Sequence, residues 1–309
     1  MPQIINGKRF AATVGTFDGV HLGHRRVLDT LKKAAAERDL SPLAITFDQH
    51  PLALIDPDRT PPAIMSTELK TRRINEEGVN TFILDFTPST ARESAADWMQ
   101  NLHERHGVDC IVIGYDNTFG HDGRSISPDG YIALGKEMGI DVIVADEIEG
   151  ISSSAIRRLI AAGKIEEANS MLGQPFTLDG VVEVGDRIGR TLGVPTANLR
   201  LKGADQRVLP PFGVYASEVV LPDGRRLAGV TNIGIRPSVS EIADTPTPRI
   251  ETHILDYDGP ELYGEPLLVS LLKYMRPEQK FSGLEALKER LESDIAERFA
   301  LSNITLSNK

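Results

Sequence analysis

Two histidines in a glycine-rich stretch are the first residues of the chain with an evident chemical use. His21 and His24 stand three residues apart in Gly15-Thr16-Phe17-Asp18-Gly19-Val20-His21-Leu22-Gly23-His24. If a helix begins near His24, both imidazoles can face one anion and donate hydrogen bonds to charge that develops on a phosphate. No Gly-Lys-Ser or Gly-Lys-Thr follows, so a nucleotide site here would use histidine and backbone donors. The alternative is a glycine-rich connection with two surface histidines, but the Gly-x-Phe-Asp-Gly prefix favours a phosphate site.

Further polar residues follow other apolar runs in the first half. Asp48 and His50 come directly after such a run, and the stretch 114–120 places aromatic and polar groups between two glycines, which could hold a ring. A third stretch, 151–158, begins with serines typical of a helix N-terminus and carries Arg157, which could bind a phosphate through two hydrogen bonds. An ordinary serine-capped helix is the alternative for this last stretch.

The second half contains a different set of candidates. Thr196 and Asn198 are two residues apart, so in an extended segment their oxygens point the same way and could share one Mg²⁺ with a nucleotide. Glu251 lies in a predicted strand and could take a proton from a hydroxyl, although a strand glutamate is usually just solvated. The charged turn 275–281, which contains Arg276, could form a lid or be a solvated turn before the last helix.

The elements that must position the first set alternate between strand and helix. Short buried strands are predicted at 10–14, 43–47, 81–86, 110–113 and 141–144, with helices at 27–38, 68–77, 95–106 and 132–138. This alternation is typical of an open parallel sheet, in which ligands bind beyond the carboxyl ends of the strands. The glycine turn, the Asp48–His50 segment and the 114–120 loop all follow strands, so one edge of the sheet is the predicted site.

The pattern changes after Gly173-Gln174-Pro175, where we place the domain boundary. Strands rich in β-branched residues then follow one another without intervening helices, at 178–184, 213–221, 226–233, 250–255 and 267–274. This succession predicts a small antiparallel barrel. An apolar stripe over 284–299 predicts a final helix that packs on the barrel.

Length and composition agree with two globular domains. The chain has 309 residues, with 40% hydrophobic and 25% charged residues, which excludes a disordered or fibrous class. The net charge of −10 argues against nonspecific nucleic-acid binding, which needs a basic surface. A single cysteine, Cys110, cannot form an internal disulfide, and neither a signal peptide nor a long apolar run is evident. We therefore expect a cytoplasmic protein with no membrane and no nucleic-acid partner.

Taken together, these motifs resemble the bifunctional bacterial riboflavin kinase/FAD synthetase family. The first module is similar over residues 1–172, and its motifs are Gly-x-Phe-Asp-Gly-x-His-x-Gly-His, Thr-Phe-Asp-x-His-Pro, Gly-x-Asp-x-x-Phe-Gly and Ile-Ser-Ser-x-x-Ile-Arg. The second is similar from residue 176 to about 300, through Pro-Thr-Ala-Asn, Glu-x-His and Arg-Pro-Glu-x-Lys-Phe.

The resemblance implies an N-terminal Rossmann-like parallel sheet domain of the nucleotidylyltransferase type, residues 1–172, that acts as FMN adenylyltransferase. It implies a C-terminal antiparallel β-barrel domain with a C-terminal helix, residues 176–309, that acts as riboflavin kinase. Riboflavin, FMN and ATP would be the partners, Mg²⁺ the cofactor, and FMN and FAD the products. We expect a monomer or a transient homo-oligomer.

The resemblance also assigns roles to individual residues. The implied catalytic residues are Glu251, as base of the kinase, and His21, His24 and Arg157 of the adenylyltransferase. The implied nucleotide-binding residues are Gly15, Phe17, Gly23, Ser153, Gly189, Arg190, Pro195 and Thr196. The implied flavin-binding residues are Asp48, His50, Asp116, Asn117 and Arg276, and the implied metal ligands are Thr196 and Asn198.

Two positions of the first module depart from the family pattern. Gln49 stands where proline is usual, and Asn117 stands where phenylalanine is usual. They motivate the alternative of a kinase with an inactive or regulatory N-terminal domain. A flavin-binding regulator without turnover is a third hypothesis, but no basic helix-turn-helix pattern supports a role in transcription. Adenylylation of another acceptor is disfavoured by the linkage to a kinase that makes FMN.

Overall fold

The computed structural model describes residues 7–115, 118–185, 193–203, 206–235 and 248–307. The chain divides into two compact units. The first consists of Met1–Ala63 and Thr67–Ala155, and the second of Ile64–Ser66 and Ile156–Lys309. The sequence-based boundary at 172–176 lies further along the chain than this division, so assignment of one function to each range remains a prediction.

The first unit is built on a five-stranded parallel sheet. Its strands are β1 (Phe10–Val14), β2 (Ser41–Phe47), β3 (Asn80–Leu84), β4 (Val108–Ile113) and β5 (Asp141–Val144), in the order β3-β2-β1-β4-β5. All four neighbouring pairs are parallel. The order reverses at β1, so the turn after β1 lies at the switch point where ligands bind in such sheets.

Five α-helices accompany this sheet in the described part of the unit. They are α1 (Leu22–Glu37), α2 (Leu52–Ile55), α3 (Thr67–Glu76), α4 (Ala95–His106) and α5 (Pro128–Met138). Local sequence explains several ends: Ser94 and Asp97 form a capping box at the start of α4, and Gly107 ends that helix with φ of 70°. Trp98, the only tryptophan of the chain, is 2% exposed in the core between helices and sheet.

The second unit is a closed antiparallel barrel with helices at both chain ends. Helices α6 (Ser153–Ala161, which crosses the division) and α7 (Ile165–Leu172) precede it. The strands are β6 (Phe176–Glu183), β7 (Thr196–Leu201), β8 (Gly213–Val220), β9 (Arg226–Ile235), β10 (Pro248–Ile254) and β11 (Pro266–Arg276), and α8 (Leu284–Ser307) follows. The barrel order is β10-β7-β6-β11-β8-β9. The predicted fold class is therefore confirmed, and β7 is a strand that is absent from those predicted from the sequence.

The barrel interior contains a short line of buried hydroxyl groups. Thr231 on β9 lies 2.8 Å from the Ser217 hydroxyl on β8 and 3.0 Å from the Thr252 hydroxyl on β10. All three residues are 0% exposed. Because each hydroxyl has a partner, these polar groups are buried at little cost and link three strands.

A three-residue segment far from the barrel in sequence completes the core of the second unit. Ile64 is 0% exposed, and its carbonyl oxygen accepts a hydrogen bond from the Arg207 guanidinium at 3.1 Å. Arg207 also pairs with Asp179 at 2.8 Å, and the Ser66 hydroxyl donates to the other oxygen of Asp179. A buried ion pair of this kind is stable only with such additional hydrogen bonds, so the segment 64–66 is a structural part of this unit.

Among the helices of the described residues, none combines the length and the apolar character needed to cross a bilayer.

Candidate active sites

The turn between β1 and α1 has an unusual backbone. Phe17 and Val20 have φ of 48° and 40°, a left-handed conformation that is uncommon for residues other than glycine. The turn is fastened on one side, where the Thr46 hydroxyl donates to the carbonyl oxygen of Thr16 at 3.1 Å. Strained residues of this kind occur most often at ligand sites, where surrounding contacts maintain them.

The two predicted histidines lie side by side at the start of α1. Their rings are stacked, with centroids 3.6 Å apart and planes 17° from parallel. Nδ1 of His21, the residue that caps the helix, accepts a hydrogen bond from the backbone N–H of His24 at 3.3 Å, so neutral His21 carries its hydrogen on Nε2. Phe17 packs edge-on against His24, with ring centroids 5.2 Å apart. The structure thus brings both imidazoles to a helix N-terminus, which favours anions.

Two of the predicted glycines make room for these rings. A Cβ added at Gly23 would lie 3.1 Å from two atoms of the His21 ring, and one at Gly15 would lie 3.1 Å from the Phe17 ring. Both distances are tighter than ordinary contacts, so a side chain at either position would push an aromatic ring out of place. The glycines therefore keep the rings close to the backbone.

The end of β2 is held by the first turn of α3. The Thr67 hydroxyl donates to the Asp48 carbonyl oxygen at 2.8 Å, and Lys70 Nζ donates to the Phe47 carbonyl oxygen at 2.7 Å. Lys70 is 7% exposed, and burial lowers its pKa to about 8 although Asp18 and Asp48 attract the charged form. The sequence analysis missed Lys70 because a lysine on an amphipathic helix is usually solvated.

Three other predicted site residues of this unit are His50, Asp116 and Asn117. His50 accepts a hydrogen bond from the backbone N–H of Leu52 at 3.1 Å and so supports the start of α2. Asp116 and Asn117 lie outside the described residues. In the same loop Phe119 is 7% exposed and packs on Tyr131, whose hydroxyl accepts from the Phe119 N–H and donates to its carbonyl oxygen. Phe119 is therefore a core residue.

Ser153, at the start of α6, donates its hydroxyl to the Asp18 carbonyl oxygen at 2.9 Å. It thereby gives the glycine turn a second attachment, from the start of α6. Arg157 lies one helical turn further along α6, beyond the division of the chain at 155/156. A phosphate-binding role for Arg157 remains a prediction.

In the second unit, pairing of β7 with β10 aligns the predicted kinase residues. Asn198 lies opposite Glu251, and Thr196 lies opposite His253. Residues on β10 alternate between buried and half-buried, so Arg249, Glu251 and His253 share one outward face. Thr196 and Asn198 are two residues apart on β7, and their alignment with His253 and Glu251 follows from strand pairing.

Arg249 joins two of these groups. Its guanidinium lies 2.6 Å from Glu251 Oε1, and its Nε donates to Asn198 Oδ1 at 3.2 Å. His253 lies on the other side of Glu251, where its Nδ1 is 2.8 Å from the Pro195 carbonyl oxygen. The sequence analysis did not single out Arg249, because nothing in its local sequence distinguishes it from a solvated arginine.

The side chains of Arg249, Glu251 and His253 line a cavity of about 240 Å³ between the barrel and α8. Apolar side chains form one part of its wall: Val194, Val214, Val230, Phe281, Leu287, Leu291 and Ile295. The polar part includes Thr196, Asn232, Arg249, Glu251, His253 and Arg276. A largely apolar wall with a few convergent polar groups is typical of a site for a small organic ligand.

A second cavity, of about 270 Å³, adjoins β7. Its lining includes Val182, Pro195, Thr196, Ala197, Ile254, Tyr257, Pro260 and Tyr263. Thr196 therefore lines both cavities. A ligand in each would have Thr196 as a common neighbour.

The predicted flavin residue Arg276, at the end of β11, lines the first cavity, but its side chain is anchored to α8. Its Nε and Nη2 donate to the two carboxylate oxygens of Asp294 at 3.0 and 2.6 Å, and its Nη1 donates to the Pro277 carbonyl oxygen. Asp294 is 0% exposed and also pairs with Arg290 at 3.0 Å. The guanidinium thus holds α8 as a wall of the cavity, and direct contact with a flavin remains a prediction.

The side-chain oxygen atoms of Thr196 and Asn198 suit Mg²⁺, which prefers oxygen ligands. Among the described residues no group of three or more histidine, cysteine, aspartate or glutamate side chains could hold a metal. A magnesium ion here would therefore depend on the Thr196 hydroxyl and Asn198 amide, completed by nucleotide phosphates and water. Gly189 and Arg190, predicted to bind the nucleotide, lie outside the described residues.

Comparison with known proteins assigns one family model to each part of the chain. The family model for FAD synthetase matches residues 4–156, and that for riboflavin kinase matches residues 172–301. The chain is 36% identical over 291 residues to the bifunctional riboflavin kinase/FMN adenylyltransferase of Escherichia coli, covering 91% of this chain and 89% of the relative. The Bacillus subtilis enzyme of the same name is 33% identical over the same shares of both chains.

A solved structure is also similar along nearly the whole chain. It is the crystal structure of a protein named macrolide-efflux protein from Streptococcus pneumoniae, with a TM-score of 0.82 and 29% identity. The match covers 95% of this chain and 94% of that one. With both family models in order and relatives aligned over nine-tenths of the sequence, this chain belongs to the family of bifunctional riboflavin kinase/FMN adenylyltransferases.

Proposed function

We propose that the protein phosphorylates riboflavin to FMN in its C-terminal part and then adenylylates FMN to FAD in its N-terminal part, with ATP as co-substrate in both steps. Membership of the family supports both activities. The observation that carries the residue assignment is Thr196, which lines two cavities at once, one of them containing Glu251.

In the kinase, riboflavin occupies the cavity beneath α8, and the nucleotide occupies the neighbouring cavity. Glu251 accepts the proton of the ribityl 5′-hydroxyl as its oxygen attacks the γ-phosphorus of ATP, and ADP leaves. Thr196 and Asn198 would hold Mg²⁺, which when bound neutralises charge on the phosphates. The apolar side chains of α8 cover the flavin ring and exclude water from the reacting hydroxyl.

In the adenylyltransferase, the glycine turn binds ATP. A phosphate oxygen of FMN attacks the α-phosphorus, and pyrophosphate leaves. His21 and His24 donate hydrogen bonds to the phosphates as charge passes to the leaving group, with the N-terminus of α1 behind them. Ser153 and Arg157 complete the nucleotide site, while Asp48, His50, Asp116 and Asn117 contact the flavin.

The test is incubation of the full chain with riboflavin, ATP and Mg²⁺, followed by chromatographic separation of the flavins. We expect FMN first and FAD later. FMN without FAD would refute the adenylylation step and favour the kinase with an inactive N-terminal domain, which Gln49 and Asn117 motivate. Neither product would refute the whole proposal.

The division of labour has its own test. Glu251→Gln keeps the size and hydrogen-bonding shape of the side chain but cannot accept the proton. We expect it to abolish FMN formation while FAD still forms from supplied FMN. Parallel loss of both steps would show that the two sites are assigned wrongly.

Further proposals concern the compartment, the oligomeric state and the extent of each domain. We propose that the protein works in the cytoplasm, where ATP and riboflavin are available, as a monomer or a transient homo-oligomer. The adenylyltransferase would occupy residues 1–172 and the kinase residues 176–309. Sedimentation of the purified chain with and without FMN would distinguish the two oligomeric states.

A further inference from the structure

Arg249 occupies the position between the two groups that the kinase needs most. Its guanidinium contacts Glu251, the proposed base, at 2.6 Å and Asn198, a proposed metal ligand, at 3.2 Å. Glu251 and Asn198 face each other across β10 and β7, and Arg249 lies two residues before Glu251 on the same face. One cation therefore bridges a carboxylate and an amide oxygen from two strands.

The contacts differ from those of an ordinary surface ion pair. Exposed pairs contribute little because water solvates both charges and each long side chain must be immobilised. Here the side chains of Arg249 and Glu251 are each only 25% exposed and line the cavity of about 240 Å³. The planar guanidinium also uses separate N–H groups for the two oxygens, a geometry that arginine provides and lysine does not.

We propose that Arg249 is a positioning residue that holds Asn198 and Glu251 in place before the nucleotide binds and yields the Asn198 oxygen to Mg²⁺ when it does. This inference rests on the proposed kinase function. The same amide oxygen cannot point its lone pairs fully at both cations, and like charges at such short separation repel. Binding of magnesium nucleotide thus displaces Arg249 from Asn198, while its contact with Glu251 can persist.

The inference predicts opposite effects on two measurable quantities. Removing the positive charge takes away the competitor, so less Mg²⁺ should be needed to bind nucleotide. Removing the bridge also releases Glu251 from its orientation, so turnover at saturating Mg²⁺ should fall. A residue with only a structural role would move both quantities in the same unfavourable direction or neither.

The experiment measures binding apart from turnover. Full-length protein with riboflavin and ADP, which cannot react, is titrated with MgCl₂ while riboflavin fluorescence is followed. For Arg249→Gln, we expect half-maximal change at about threefold to tenfold lower Mg²⁺ than for wild type. Arg249→Lys retains the positive charge but lacks the planar guanidinium that donates to both oxygens. It should keep the wild-type Mg²⁺ requirement. Both variants should form FMN more slowly at saturating Mg²⁺.

A matched control is Arg226→Gln, which removes one arginine from an exposed pair with Glu218 on neighbouring strands of the barrel. It should leave the Mg²⁺ titration unchanged. An unchanged or higher Mg²⁺ requirement in Arg249→Gln overturns the inference, as does a shift of equal size in Arg226→Gln. If Arg249→Gln does not fold, a lowered Mg²⁺ requirement in Arg249→Lys overturns it. Failure of wild type to make FMN would instead refute the proposed function.

Discussion

Replacing Lys70 with methionine tests the buried ammonium at the end of β2. The lysine is 7% exposed, and its amine donates to the Phe47 carbonyl oxygen at 2.7 Å. Burial lowers its pKa from 10.5 to about 8, against the attraction of Asp18 and Asp48. Methionine has an unbranched stem of similar length and no charge, so it removes the cost of burying the ammonium and retains most of the packing.

The size of the effect follows from the pKa. The difference of 10.5 − 8, or 2.5 units, corresponds to about 3 kcal/mol of stability, since one unit is about 1.4 kcal/mol. Below pH 8 the amine is protonated in both states, and the folded state bears the whole cost. Between pH 8 and 10.5 the folded protein loses the proton first, the unfolded chain binds more protons, and stability rises with pH. Above pH 10.5 the cost is gone.

The stability of Lys70→Met relative to wild type should therefore reverse its sign between neutral and alkaline pH. Methionine removes the donor to the Phe47 carbonyl oxygen, which costs about 1 kcal/mol at any pH. At pH 7 we expect Lys70→Met to be more stable than wild type by about 2 kcal/mol, the remainder after that loss. Near pH 11 it should be less stable by about 1 kcal/mol, because only the lost hydrogen bond then counts.

Trp98 makes the measurement specific to the first unit. It is the only tryptophan and lies in that unit's core, so its fluorescence during urea unfolding reports on that unit alone. Lys33→Met, at a side chain 78% exposed on α1, is the control and should show a difference that does not vary with pH. A stability difference for Lys70→Met that is constant from pH 7 to pH 11 would refute the argument, since groups common to both proteins cancel.

Three further predictions concern activity and the barrel. His24→Ala, which removes one ring of the stacked pair, should slow FAD formation from FMN about a hundredfold while leaving FMN formation intact, as measured by chromatography. Gly185→Ala should raise the Mg²⁺ concentration needed by the kinase, because the new Cβ would overlap the Asn198 side-chain amide; an unchanged Mg²⁺ titration would contradict it. Thr231→Val should lower the free energy of unfolding by about 1–3 kcal/mol, since two buried hydroxyls lose a shared partner, and calorimetry would detect a corresponding fall in Tm.

Features encoded by neighbouring residues were predictable from the sequence. The glycine turn, the following helix and both histidines lie within ten residues, and their geometry depends on local backbone conformation and a helix N-terminus. Strand β7 was missed because Pro195 and the polar residues after it are typical of a turn. Its strand conformation depends on pairing with β6 and β10, and β10 lies about fifty residues away along the chain.

Residues whose roles depend on distant partners were the harder part. Lys70 and Arg249 are ordinary basic residues until the fold places a strand end or a carboxylate beside them. For Arg276, the family resemblance implied contact with the flavin, which stays a prediction, and the structure shows that Arg276 lines the cavity beneath α8. Its bidentate pairing with Asp294, eighteen residues later, could not be read from the charged turn alone. The sequence indicated which residue types could take part in the chemistry, and the fold determined which of those residues contact one another.

The segment 64–66 has a practical consequence for dissecting the chain. A fragment that begins at residue 156 lacks Ile64 and Ser66, so Arg207 loses a carbonyl acceptor and Asp179 loses a hydroxyl donor in a buried environment. Arg207 keeps its contacts with Asp179 and with the Thr177 carbonyl oxygen, but the Asp179 oxygen that loses its donor costs about 1–3 kcal/mol, a substantial share of the stability of a small domain. Weak kinase activity in such a truncated fragment would then reflect an incomplete core and not dependence on the adenylyltransferase. Supplying residues 64–66 as a grafted N-terminal extension would separate the two explanations.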